Sequence, residues 1–525
     1  MKKTSLFLAV LLAMGTLAGC SGKTDETAAA AGADGALGTE TASVQAQAAE
    51  NVKDEVVVVL KGEPSNVDPH GNTELVAMTT QVQIFETLVK KDAEGTIIPC
   101  LAESWEQVDD KTIRFKLRDD VYFHNGEKLT AEDVVYTIQR AVAKPSSASV
   151  FASFDAENTK AVDDLTVDVA TKTPFAAVYN YLTSTRGGIV SKKAVEEMGD
   201  DEFGRNPVGT GPFMFDSWVS GTNITLKRNE NYWGEKPAYS TLTLKFITET
   251  ANRSLEIESG NADIVLDPDT GDLDRLAETD GLQVISGDSY GMSYIVFSMD
   301  DEVLSDIRLR EALSLALDMD SITETVYGNY GTASESVMPK TIFAYQSQGK
   351  HEYDPEKAKK LLAEAGYEDG LTIELNLPSG SEQQNIGVIA QSMWKEIGVT
   401  ANITTASTSE VIAAGRRGDN QVSIMAASYS TGDPGHALAD FDTRSDGFFR
   451  PVDTKIDELL DKGSETYDTE ERAKVYEELQ DYIYHQYYML GVADKTVNYV
   501  ITDKVQNFYC DPGDIPSFAG VLVTE

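Results

Sequence analysis

The chain has 525 residues, 86 acidic against 44 basic, and a formal net charge of −42. Such acidity argues against nucleic acid and against broad contact with anionic lipid as partners, because both are polyanions. The length is enough for two or three domains with proper hydrophobic cores.

The first element is a leader. Met1-Lys2-Lys3 and the apolar stretch from Leu6 to Leu12 form a charged region and a hydrophobic region of signal-peptide size, too short to cross a bilayer. Leu17-Ala18-Gly19-Cys20 resembles the lipobox of bacterial lipoproteins, in which the cysteine thiol takes a diacylglyceryl group and the cysteine becomes the mature N-terminus. A diacylglyceryl lipid supplies the two chains that stable anchoring needs. Removal of residues 1–19 takes Lys2 and Lys3 away, which makes the charge two units more negative. Residues 21–50 are dominated by Ala, Gly, Thr, Ser, Asp, Glu and Gln and contain no aromatic residue, which is the composition of a flexible tether. No later apolar run reaches the roughly 18 residues of a membrane span, so everything after Glu50 is expected to be soluble and outside the cytoplasm.

Beyond the tether, helix and strand signals alternate without a fixed repeat, which predicts a mixed α/β architecture. Glu55 to Leu60 is a continuous apolar run of the kind buried on both faces. Ile113, Phe115 and Leu117 alternate with polar neighbours, Val121 and Phe123 repeat the pattern, and Asn125-Gly126 signals a turn, so this region is read as antiparallel. Thr130 to Asp133 opens a helix with a capping box, and Val134, Val135, Ile138, Ala141 and Val142 share one face behind it. Asp354-Pro355 starts another helix, with Ala358, Leu361, Leu362 and Ala365 as its buried stripe and Gly366 as its stop. Asp468 opens a third, with Tyr476, Leu479, Tyr482 and Ile483. The aromatic residues from Tyr482 to Tyr488 are read as packing.

Catalytic machinery is missing from this pattern. The chain has no Walker lysine motif, H-E-x-x-H or C-x-x-C. Its five histidines, His70, His124, His351, His436 and His485, are scattered without metal-ligand spacing. Carboxylate pairs are abundant, as 86 acidic residues guarantee by chance. Gly209 to Phe213 lacks the lysine and the spacing of a phosphate loop and is read as a tight turn. No catalytic residue, metal or cofactor is expected. Cys100 and Cys510 could pair in an exported compartment, but two separate buried thiols are the favoured reading.

The residues from Pro99 to Ala141, "PCLAESWEQVDDKTIRFKLRDDVYFHNGEKLTAEDVVYTIQRA", resemble the signature region of the extracellular solute-binding proteins of family 5, the peptide- and nickel-binding receptors of ABC importers. "EPSNVDPH" at Glu63, "PVGTGPFMF" at Pro207, "NENYWG" at Asn229, "IRLREALSLALDMDSI" at Ile307 and "YDPEKAKKLLAEAGY" at Tyr353 resemble further segments of that family in the same order. The resemblance implies a bilobal periplasmic-binding-protein-like fold of three domains, with mixed sheets. Domain I would take residues 52–95, 208–288 and 496–525, the extra domain II 96–207 and domain III 289–495, after the signal peptide 1–19 and the anchor and linker 20–51. The hinge would lie near Ser289 to Tyr294 and near Asp494-Lys495.

The resemblance also implies capture of a solute, a peptide in the first place, by closure of two lobes, with no bond made or broken. A monomeric receptor, held by Cys20 on the outer face of the membrane, would then hand the solute to permease subunits. Segment by segment, it places Glu63, Pro64 and Ser65 on the domain I side of the cleft. Gly209 and Thr210 fall in the turn near the crossing, and Tyr290, Met292 and Tyr294 in the hinge strand. Tyr429, Ser430, Thr431 and Asp433 fall in the facing loop of domain III. In peptide receptors of the family an aspartate of that loop pairs with the α-ammonium a few residues ahead of the loop's proline. Here the position three before Asp433 is Ser430, so either Asp433, next to Pro434 and the acid available, takes that role from a shifted position, which is the favoured reading, or the α-amine is not clamped here. Within the same family a nickel or metallophore receptor is the alternative, with His436 as its residue of interest. A cell-surface hydrolase and a purely structural or signalling lipoprotein are the readings from other classes.

Overall fold

The Val-rich run at Glu55–Leu60, β1, is buried because strands flank it on both sides in parallel: Thr241–Phe246 (β10) and Ile264–Leu266 (β11). Its faces are covered too, Val56, Val58 and Leu60 packing into one apolar cluster and Val57 and Val59 into another on the opposite side, hence its continuous apolar sequence. These strands come from a computed structural model that describes residues 52–93, 95–445, 448–449 and 453–525. The leader, Cys20 and the tether lie outside the described residues.

Eleven strands make one sheet. Beyond β1 and β10 it continues through Asn223–Arg228 (β9) to Phe213–Val219 (β8), and beyond β11 it reaches Met489–Thr502 (β17) and Leu282–Phe297 (β12). It ends with Val422–Ser428 (β16), Leu371–Pro378 (β14) and Val399–Ala406 (β15), while Gly331–Ala333 (β13) pairs with β17. The two long strands β12 and β17 pair antiparallel from Leu282↔Thr502 to Asp288↔Thr496, lose register, and resume at Met292↔Asp494. A break in a ladder is where a sheet bends.

The sheet serves two cores on either side of that break. One gathers Val56, Val58, Leu226, Leu244, Ile264 and Tyr499, and the other Tyr294, Ile295, Leu313, Ile373, Trp394 and Ile424. A third core, with Phe115, Val134, Ile138 and Val169, belongs to a separate four-stranded sheet. Its order is Ala102–Asp109 (β4), Thr112–Leu117 (β5), Thr166–Ala170 (β7) and Lys160–Asp163 (β6), all antiparallel. Short strands Val89–Lys91 (β2) and Ile97–Pro99 (β3) lead into it. The result is two lobes, the first carrying an extra domain.

Local signals account for the helices that position the site. In Ala131–Ala143 (α1) the Asp133 carboxylate accepts from the Thr130 amide at 3.0 Å, which closes the capping box. Asp354 caps Pro355–Glu364 (α2), which buries Ala358 and Leu362 and ends at Gly366 with φ +91°. Asp468 caps Thr469–His485 (α3), accepting from the amides of Glu470 and Glu471. One expectation fails. Val121 and Phe123 are buried but form no strand: only an isolated bridge joins Tyr122 to Lys128, and Gly126, at φ +86°, closes a compact turn. Cys100 is buried and Cys510 half-buried, and both are free thiols.

Candidate functional site

The site grows from the hinge strand outward. Strand β16 pairs with β12 up to Ser428↔Gly291, and the Tyr429 amide extends the ladder by donating to the Tyr290 carbonyl at 3.1 Å. The chain then turns: Gly432, at φ +62°, donates from its amide to the Tyr429 carbonyl at 2.9 Å. A Cβ there would stand 2.9 Å from Tyr290 Cζ and 3.1 Å from Lys91 Nζ, so only glycine fits. Asp433 follows as the N-cap of the short helix Pro434–Ala437, accepting from the Gly435 amide at 2.9 Å.

Across this loop the lobes touch. Lys91, from β2 of the first lobe, donates to the Thr431 carbonyl at 2.6 Å, with its ammonium 5.6 Å from the centroid of the Tyr290 ring. Burial depresses the Lys91 pKa, and the charges of Asp433 and Asp511 oppose that shift. From the extra domain, Asn180 donates to Asp433 Oδ2 at 3.1 Å, and the Tyr181 ring lies 6.0 Å from that of His436. Further out, the Phe175 amide donates to the Tyr467 hydroxyl at 3.1 Å, which donates to the Asp110 carbonyl at 2.8 Å. The Ala176 amide reaches the Ser464 carbonyl at 2.8 Å. The lobes are therefore closed on each other.

His436 is half-buried, and its Nδ1 lies 3.1 Å from Thr431 Oγ1. Burial first, and then the charge of Arg186, lower its pKa to about 4, so the imidazole is neutral near pH 7. A neutral imidazole is a competent ligand for a metal chelate. Among the described residues, however, no group of three or more His, Cys, Asp or Glu side chains is placed to hold an ion.

The sequence-derived candidates separate into three sets. Tyr290, Tyr429, Ser430, Thr431, Asp433 and His436 come together at the loop just described. Met292 and Tyr294, two and four positions further along β12, lie in the core of the second lobe, Tyr294 with its ring 5.6 Å from that of Phe449. Glu63, Pro64 and Ser65 are tied into the first lobe itself. Glu63 accepts from Trp218 Nε1 and the Gly221 amide, both at 2.8 Å, and the Ser65 amide donates to Glu74 at 2.9 Å.

Gly209 and Thr210 form the tight turn expected of them. A Cβ on Gly209 would stand 2.0 Å from the Ile84 carbonyl oxygen, and Thr210 donates to the buried Glu86 carboxylate at 2.9 Å. Sequence reasoning missed Lys91, Asn180 and Arg472. Only the last had a signal, since an arginine four residues before Tyr476 puts a charge on the stripe that carries Val475, Tyr476, Leu479 and Ile483.

Residues 96–449 match the model of the bacterial extracellular solute-binding proteins of family 5. The chain belongs to that family. A dipeptide-binding protein of Escherichia coli (strain K12) is 26% identical over 510 residues, covering 90% of this chain and 94% of that protein. Among solved structures, the ABC transporter-associated periplasmic binding protein DppA from Helicobacter pylori, in complex with the peptide STSA, superposes with a TM-score of 0.80 at 22% identity. The match covers 92% of this chain and all of that one. AgaA of A. tumefaciens, in complex with agropinic acid, has a TM-score of 0.77 at 26% identity, over 90% and 99% of the two chains. The fold is thus the bilobal periplasmic-binding-protein-like one with an extra domain. This family-5 chain is a solute-binding protein of the ABC-importer type and not an enzyme. Its extracytoplasmic, membrane-associated setting follows from the family.

Proposed function

We propose that this family-5 protein is a receptor anchored to the outer face of the membrane through a lipid on Cys20. In this reading it captures a peptide-like solute between its lobes and delivers it to the permease subunits of an ABC importer. The observation that carries the reading is the meeting of the loop around residues 429–436 with Lys91 and Asn180 of the opposite lobe. A solute held there stabilises the closed form by as much as it binds that form better than the open one. Tyr290, Tyr429, Ser430, Thr431 and His436 are the side chains proposed to meet it.

Thermal melting against short peptides, nickel chelates and oligosaccharides tests the ligand class. A ligand at a hundred times its Kd stabilises the native state by about 2.7 kcal/mol, so a peptide that binds raises the melting temperature. Stabilisation by nickel chelates alone would replace the peptide reading with the metallophore one. The anchor is tested separately: Cys20→Ser should release the protein from the membrane fraction, and full retention would remove the lipid anchor from the proposal.

A further inference from the structure

Asp433 has no acceptor position left for a solute. Its Oδ1 accepts from Arg472 Nη2 at 2.9 Å and from the Gly435 amide at 2.9 Å, and its Oδ2 accepts from Arg472 Nη1 at 2.9 Å and from Asn180 Nδ2 at 3.1 Å. A carboxylate offers about four such positions, and all are filled in a residue with 0% of its surface exposed. The guanidinium that cancels its charge is itself buried, with Nε donating to the Gly463 carbonyl at 2.9 Å and the group set 5.0 Å from the Tyr476 ring. Bidentate pairing of this kind fixes both partners.

The same carboxylate joins the lobes. Asp433 and Arg472 belong to the second lobe and Asn180 to the helix Val178–Leu182 of the extra domain. On the first-lobe side the loop already receives a cation, because Lys91 Nζ donates to Thr431 and stands beside Gly432. A solute ammonium brought here would meet a resident ammonium and a carboxylate that is already neutralised.

We propose that Asp433 is a latch between the lobes and not a receptor for an α-ammonium. Resting on the reading that the cleft takes a peptide-like solute, the consequence is that the solutes taken carry no cation at the end that meets this loop, N-acylated peptides foremost. The charge that selects against free amino termini is that of Lys91.

Two measurements decide it. In calorimetry on the wild-type protein, N-acetyl-trialanine should bind at least as tightly as trialanine, and a tenfold or greater loss on acetylation overturns the proposal. In thermal melting without any ligand, Asp433→Asn should lower the transition by about 3 °C or more, since it leaves the Arg472 charge buried without its partner. The double variant Asp433→Asn, Arg472→Gln should melt no lower than the worse single variant. An unchanged transition for Asp433→Asn overturns the latch. If neither peptide binds, the peptide reading falls, while melting still decides the role of Asp433. Should Asp433→Asn fail to fold, Asn180→Ala removes the bond by which Asp433 joins the lobes and leaves the Asp433–Arg472 pair in place. Its radius of gyration without ligand should exceed that of the wild type, and an equal value overturns the latch.

Discussion

At the residue scale, Gly209 shows how one position can be legible in kind and not in cause. The sequence marks Gly209 to Phe213 as a turn, and the structure supplies the reason: the Ile84 carbonyl lies where a Cβ would be, and the Gly211 amide donates to that same carbonyl at 2.9 Å. Because the obstacle is backbone, Gly209→Ala cannot be relieved by a side-chain rotation. It should destabilise the protein by about 3 kcal/mol or more, at the upper end for single substitutions, as read by urea unfolding, and a loss under 1 kcal/mol would show that the crossing segment yields. Met292 and Tyr294 mark the converse. They lie on strand β12, but from Gly291 to Phe297 both faces of that strand are buried, and a resemblance between segments carries no information about which positions are wet. Arg472 was readable in principle as a cation on a buried stripe, whereas the approach of Lys91 and Asn180 depends on contacts across hundreds of residues and leaves no local trace.

At the element scale, local chemistry predicts well wherever local chemistry decides. Strand β1 and the starts of α1, α2 and α3 lie where the apolar run, the capping box, the Asp-Pro pair and Asp468 put them. The segment at Val121 and Phe123 had the right burial and folds back antiparallel on residues 127–129, but it stops at a single bridge, and a period of two alone cannot say how far a ladder runs. The hinge strands hold something that periodicity does not reveal. Asp494, 5% exposed on β17 beside the register break, has its pKa raised to about 6 by burial, with bonds from Ser334 and Lys340 opposing the shift and Asp288 adding to it. One of its oxygens, Oδ1, has no hydrogen-bond partner. An unfolded aspartate titrates near 3.9, so in the folded state this carboxyl holds its proton to higher pH. The stability that it contributes is present below about pH 4 and is lost as pH rises towards 6. Asp494→Asn should therefore raise the melting temperature at pH 7.5 and leave it unchanged at pH 4. A fall at pH 7.5 would mean that the ionised carboxylate is needed at the hinge.

At the scale of the whole molecule, titration separates two opposed groups. Burial lowers the pKa of His70 to about 3 and of His124 and His436 to about 4, and it also depresses His351. Unfolded histidine titrates near 6.5. Between about pH 4 and 6.5 the unfolded chain thus binds protons that the native protein refuses, and stability is lost as pH falls through that window. Asp494 and Asp514 act in the other direction. Burial raises them to about 6 and about 7, so at pH 5.5 the native state holds up to about two protons that the unfolded chain has released. Burial raises the Glu86, Asp440 and Asp511 carboxyls as well, so the proton exchange on unfolding at pH 5.5 is a difference between two opposed groups of similar size. Replacing two of these carboxyls, as Asp494→Asn with Asp514→Asn, should shift the exchange towards proton uptake by up to about two protons per molecule. The uptake is the slope of unfolding free energy against pH, measured by urea unfolding between pH 5 and 6, and each proton steepens it by about 1.4 kcal/mol per pH unit. Equal slopes for the double variant and the wild type would show that these two carboxyls are already ionised at pH 5.5, and that the buried acids of the hinge and C-terminal segment are open to water.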